Sequence, residues 1–139
     1  MAKKLPKIPD AQLEVLEALW QVGKGTVREV LTHLQWTGRE WSYATVSTLL
    51  QRLEQKGLVV SDRSAFAHVY QAAVSRPAVV DRRLQHLIEK VYHGEPGLLV
   101  VHLLKSHKLT REHKHEVQQI LEQLVEGNEE ADEVDEKKR

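Results

Sequence analysis

The stretch "EWSYATVSTLLQRLEQKGLV", residues 40–59, decides the fold. It reads as a helix whose back carries Val46, Leu49, Leu50 and Leu53, with Ser42 as N-cap and Gly57 as the stop. Its first turns hold Ser42, Tyr43, Thr45, Ser47 and Thr48, residue types that a helix built for stability alone would exchange for Ala, Glu or Lys. Compact hydroxyl side chains on one exposed arc suit a face that must approach something closely.

Working outward, the segment before it holds two more helices. "IPDAQLEVLEALWQVGKG" places Leu13, Leu16, Leu19 and Trp20 on one face, with Asp10 as the expected N-cap and Gly23 and Gly25 at the end. "TVREVLTHLQ" opens on Thr26 with Glu29 three residues later, a capping box, and buries Val27, Val30, Leu31 and Leu34. After Gly57 the period changes from helical to alternating. Residues 58–62 and 68–72 are β-prone runs around a turn at residues 64–67, which predicts a hairpin. Three helices and then a hairpin is the layout of a winged helix-turn-helix, with the hairpin as the wing.

The second half is helical. Residues 76–93 carry the stripe Val80, Leu84, Leu87, Ile88 and Val91, with Pro77 in the first turn and Gly94 as the stop. "EPGLLVVHLLKSHKL" is short and very apolar, and a last helix capped by Thr110 shows Val117, Ile120, Leu121 and Leu124. A helical segment of roughly 50 residues cannot bury that much apolar surface within itself, so a second copy of the chain is the expected cover. The expected self-association residues are Leu87, Val91, Leu98, Leu99, Val101, His102, Leu103, Val117, Ile120, Leu121 and Leu124. The predicted organisation is therefore mainly α: a winged-helix domain over residues 1–75, a helical dimerisation domain over 76–125, and an acidic, disordered tail over 126–139.

Composition bounds the chemistry. The 139 residues carry no net charge, with 20 basic and 20 acidic side chains, but the balance is uneven. Residues 1–75 hold nine Lys/Arg against seven Asp/Glu, residues 76–125 eight against six, and residues 126–139 three against seven. The body is mildly basic and the tail acidic and solvated. Without cysteine there is no disulfide, thiolate metal site or cysteine nucleophile. No apolar run approaches the roughly 18 residues of a membrane span, and residues 1–10 lack the apolar centre of a signal peptide, so the expected compartment is the cytoplasm. His102, His107, His113 and His115 cluster in the last third, but His113 and His115 lie two apart on a helix and point away from one another, against a shared metal. No catalytic triad or phosphate-binding glycine loop is present, and Gly23-Lys24-Gly25 is too short for one; neither enzyme activity nor a cofactor is expected.

A helix-turn-helix sets the N-terminal residues of its second helix at base edges in the major groove. Hydroxyls there contact bases and phosphates, and a Thr methyl can meet a thymine methyl. Residues 44, 45, 48, 51 and 52 share one outward arc. The expected DNA-binding residues are Ser42, Tyr43, Ala44, Thr45, Ser47, Thr48, Gln51 and Arg52 on the helix, with Arg63 and His68 in the wing. The alternative is a winged-helix module that holds a protein partner without specific DNA binding, for which Phe66 at the wing tip would be the anchor.

Three stretches, "LEVLEALWQVGKGTVREVLTHL", "WSYATVSTLLQRLEQKGLV" and "HVYQAAVSRPAVVDRRLQHLIEKVYHGEPGLLVVHLL", together resemble the penicillinase repressor (BlaI/MecI/CopY) family of winged-helix transcriptional repressors. The resemblance spans residues 8–124. It implies a homodimer that blocks transcription at inverted-repeat operators of double-stranded DNA, antibiotic-response genes among its targets, with the C-terminal helices forming the dimer. It also brings in a sensor-linked protease as a partner in one branch of the family. That branch's Asn-Phe cleavage pair aligns near Val101, His102 and Leu103, where this chain has no such pair. The copper branch's cysteine-rich motif is absent as well, and Ala44 stands where the family often has Lys.

Overall fold

A computed structural model describes the backbone of residues 5–138 and the side chains of residues 5–128. It is mainly helical with one small sheet. The order is α1 (Asp10–Val22), β1 (Lys24–Gly25), α2 (Val27–Trp36), α3 (Tyr43–Gln55), β2 (Val59–Asp62), β3 (Val69–Ala72), α4 (Arg76–Val91), α5 (Pro96–Ser106) and α6 (Arg111–Lys138).

The local signals act much as their chemistry demands. Thr26 Oγ1 accepts from the Glu29 amide at 3.2 Å while the Thr26 amide donates back to the Glu29 carboxylate at 3.2 Å, closing the capping box. Ser42 accepts from the Thr45 amide at 3.1 Å and starts α3. Gly57, at φ 78°, supplies the left-handed turn from α3 into β2. Asp10 differs from expectation: Pro9 is the N-cap, without a side-chain bond, and Asp10 is the first helical residue. Its carboxylate is drawn off to the Arg83 guanidinium, a charge-assisted partner that outcompetes its own backbone.

The hairpin forms the wing, with Val59 opposite Ala72 and Asp62 opposite Val69. A third, two-residue strand joins it: β1 pairs antiparallel with β3, giving the order β1-β3-β2. The core beneath is Val15, Leu16, Leu19, Val30, Val46, Leu50, Leu53, Leu58 and Val59, all essentially closed to solvent. Trp20 Nε1 donates to the Val74 carbonyl at 3.0 Å and fastens α1 to the chain leaving the wing.

The expected boundary after residue 75 is displaced. The chain divides into units at residues 1–94 and 95–139, so α4 belongs with the winged helix. Its contacts explain why: Val79 is fully buried in the first core, Arg82 Nε donates to the Leu5 carbonyl at 2.7 Å, and Arg83 Nη1 donates to the Ile8 carbonyl at 2.7 Å. The apolar stripe of α4 points to the second half, but part-buried cation-to-carbonyl bonds bind it to the first. The acidic segment 126–139, expected to be disordered, instead continues α6 as far as Lys138, in keeping with the helix propensity of its Glu, Ala and Lys residues. The second unit comprises α5 and α6. No residue of α5 is buried. Among the described residues no helix is long and apolar enough to cross a membrane.

Candidate nucleic-acid interface

Helix α3 turns its apolar side into the core and its hydroxyl side outward. Val46, Leu49, Leu50 and Leu53 are buried, and Ala44, Thr45, Thr48, Gln51 and Arg52 are all exposed on the opposite arc. The 3.6-residue period makes that separation obligatory once the four apolar positions are fixed in the core.

The two ends of the arc differ in how firmly they are held. At the N-terminus the Ser42 and Thr45 hydroxyls lie 3.0 Å apart, so Ser42 both caps the helix and orients Thr45. Tyr43 is half exposed, and the Arg28 guanidinium lies over its ring, 5.4 Å from the centroid. Ser47 is half-buried and accepts from the Gln51 amide at 3.4 Å. Arg52 is exposed and makes no ion pair among the described residues. One turn on, Lys56 Nζ donates to the Lys7 carbonyl at 2.9 Å and to Gln12 Oε1 at 2.7 Å. Burial and the neighbouring Arg52 charge lower the Lys56 amine from its usual value.

Between α3 and the wing runs a cleft of about 580 Å³, lined by Thr26, Arg28, Tyr43, Ser47, Gln51, Phe66, His68 and Tyr70. His68 lines the wing side of that cleft, facing the helix residues. Arg28 was missed from sequence: it sits in the first turn of α2, outside the motif, and only the fold brings it over Tyr43.

Arg63 sits differently from a free phosphate-binding cation. Its Nη2 donates to Glu54 Oε1 at 2.6 Å and its Nε to Ser61 Oγ at 3.1 Å. The pair clamps the wing to the end of α3. Burial, reinforced by the Glu54 charge, pushes the Tyr70 phenol up, so it stays protonated beneath the cleft. In the wing turn the Ser64 side chain and amide hold the Asp62 carboxyl below the usual carboxylate range. Phe66 at the tip is fully exposed.

The residues expected to mediate self-association fall on three helices: Leu87 and Val91 on α4, Leu98, Leu99, Val101, His102 and Leu103 on α5, and Val117, Ile120, Leu121 and Leu124 on α6. All are exposed except Leu99 and Val117, which are partly covered. Among the described residues no group of three His, Asp or Glu side chains converges as a metal site would require.

The family model described as penicillinase repressor matches residues 8–123. The penicillinase repressor of Bacillus licheniformis is 30% identical over 121 residues, covering 87% of this chain and 94% of that protein. The methicillin resistance regulatory protein MecI of Mammaliicoccus sciuri is 26% identical over 121 residues, covering 87% and 98%. Among solved structures, the monomeric form of Bacillus licheniformis BlaI in complex with the blaP half-operator is 31% identical, covering 55% of this chain and 93% of that chain with a TM-score of 0.47. On the extent of the family match and of the Bacillus licheniformis relative, the chain belongs to the penicillinase repressor family, a family of transcriptional repressors and not of enzymes.

Proposed function

We propose that two copies of this chain bind one inverted-repeat operator, each laying α3 in the major groove and its wing on the flanking backbone. The observation that carries the reading is the exposed arc of Ala44, Thr45, Thr48, Gln51 and Arg52, back to back with the buried Val46, Leu49, Leu50 and Leu53. Thr45 and Thr48 face base edges, Gln51 an adenine edge, and Arg52, Tyr43 and the N-terminus of α3 the phosphates. Ser42 and Ser47 orient their neighbours. Ala44 gives close approach where a longer side chain would stand off.

The dimer rests on the apolar faces of α5 and α6. A helix of eleven residues that buries none of them in its own chain needs another surface, and a two-fold partner makes that surface from the same residues. Two-fold symmetry then requires a symmetric operator. The relatives' names point to antibiotic-response genes as the class regulated. A sensor-linked protease would need a cleavage site other than the family's Asn-Phe pair, since Val101, His102 and Leu103 occupy that place.

The test is the mass of the complex on a symmetric duplex and on its isolated half. Two chains on the full site and much weaker binding to the half are expected. A single chain bound equally well to both would refute the dimeric reading.

A further inference from the structure

Away from α3, residues 7–10 and α4 enclose a crevice of about 470 Å³ lined by Lys7, Ile8, Pro9, Asp10, Arg82, Arg83 and His86. We propose that this crevice binds inorganic phosphate as its dianion. Four nitrogen-bearing side chains converge there, and Asp10 is the one acid in the lining, with the Glu89 charge also reaching His86. Asp10 is already committed to Arg83, which leaves Lys7 and Arg82 as two positive charges with no further acid in the lining, the complement of a dianion.

Two buried nitrogens give the second, independent observation. Arg82 Nη1 and His86 Nε2 are closed to solvent and have no hydrogen-bond partner among the described residues. A guanidinium N–H left unpaired inside a protein is costly, and such a group calls for a partner, a water or an anion. The rest of the guanidinium is fixed, since Nε holds the Leu5 carbonyl at 2.7 Å, so Nη1 keeps its place. Lys7, on the opposite wall of the crevice, is exposed.

The local field agrees. The His86 imidazole lies below its usual value through burial first, then through the charges of Lys7, Lys90 and Arg82, with Glu89 opposing them. A dianion among these groups reverses the field and lifts His86. The site also touches the reading head. Lys56, at the C-terminus of α3, holds the carbonyl of Lys7, so the segment that closes over the ligand is the one that anchors the recognition helix.

The test is titration of the full chain with inorganic phosphate, followed by NMR of the histidine ring signals, with acetate and chloride at matched ionic strength. Phosphate is expected to saturate and to raise the His86 midpoint. Acetate should bind at least tenfold more weakly, and chloride should give no saturable shift. Arg82→Gln should weaken phosphate at least tenfold. Lys7→Gln, which keeps every backbone bond of residues 5–9, should weaken it severalfold with an unchanged melting temperature. Arg52→Ala should leave the His86 response intact, separating this site from the DNA face. Phosphate shifts matched by chloride, or unchanged in both Lys7→Gln and Arg82→Gln, would overturn the assignment, as would acetate binding as strong as phosphate.

Discussion

Two arginines flank the proposed DNA face, and the structure separates their contributions. Arg52 is exposed and unpaired among the described residues, whereas Arg63 is held by Glu54 at 2.6 Å and by Ser61 at 3.1 Å. Each phosphate neutralised contributes about 0.9 to the slope of log K against log salt, so Arg52→Ala should lower that slope by about 0.9 per chain, or about 1.8 for two chains on one duplex. Between about 50 and about 200 mM salt, the gap between the wild type and Arg52→Ala should therefore narrow by about 3.5-fold per chain. Arg63 reaches a phosphate only by giving up a charge-assisted bond, so Arg63→Ala should lower the slope by no more than about half as much. Glu54→Gln, by freeing Arg63, should raise it. The assay is fluorescence anisotropy of one duplex at four salt concentrations, with a random duplex in parallel. The reasoning is refuted if Arg63→Ala flattens the slope as much as Arg52→Ala, or if Arg52→Ala shifts affinity without touching the slope.

Other outcomes follow from the same geometry. Thr48→Ala should cost about 1–3 kcal/mol on the preferred site and almost nothing on random duplex, and equal losses on both would remove Thr48 from base readout. Ser42→Ala removes the acceptor for the Thr45 amide and should destabilise the fold by about 1 kcal/mol, measured by urea unfolding. The folded His86 value lies below the unfolded one, so its stabilisation is present above about pH 6.5 and lost as pH falls through the folded value. Urea midpoints should accordingly drop on acidification, and drop less in His86→Asn. Leu121→Glu puts a charge on the exposed apolar face of α6 and should shift sedimentation toward a single chain; an unchanged dimer would place the interface elsewhere.

What could be read from the sequence was local. The Thr26–Glu29 box, the Ser42 cap, the Gly57 stop and the hairpin all depend on residues within a few positions of one another, and each is where its chemistry places it. What was hidden was long-range. β1 is two residues without strand propensity, and only pairing with Gln71 and Tyr70 makes it a strand. Asp10 has the right type for a cap but a better partner in Arg83, 73 positions away. α4 looked like part of the second half because its exposed stripe is apolar, while the buried Val79 and the two arginines that tie it to residues 5–8 carried no periodic signal. The outward arc of α3 followed from period alone. The engagement of Arg63 by Glu54 and the approach of Arg28 to Tyr43 required the wing and α2 to be in place.

Whether α3 reads sequence in a two-fold arrangement is decided by selection from random duplexes with the purified chain. A two-fold symmetric site bound at least about a thousandfold more tightly than random DNA at physiological salt is expected. Weak binding that is indifferent to sequence and disappears as salt rises would contradict it, and would turn attention to a protein partner for the exposed Phe66 wing.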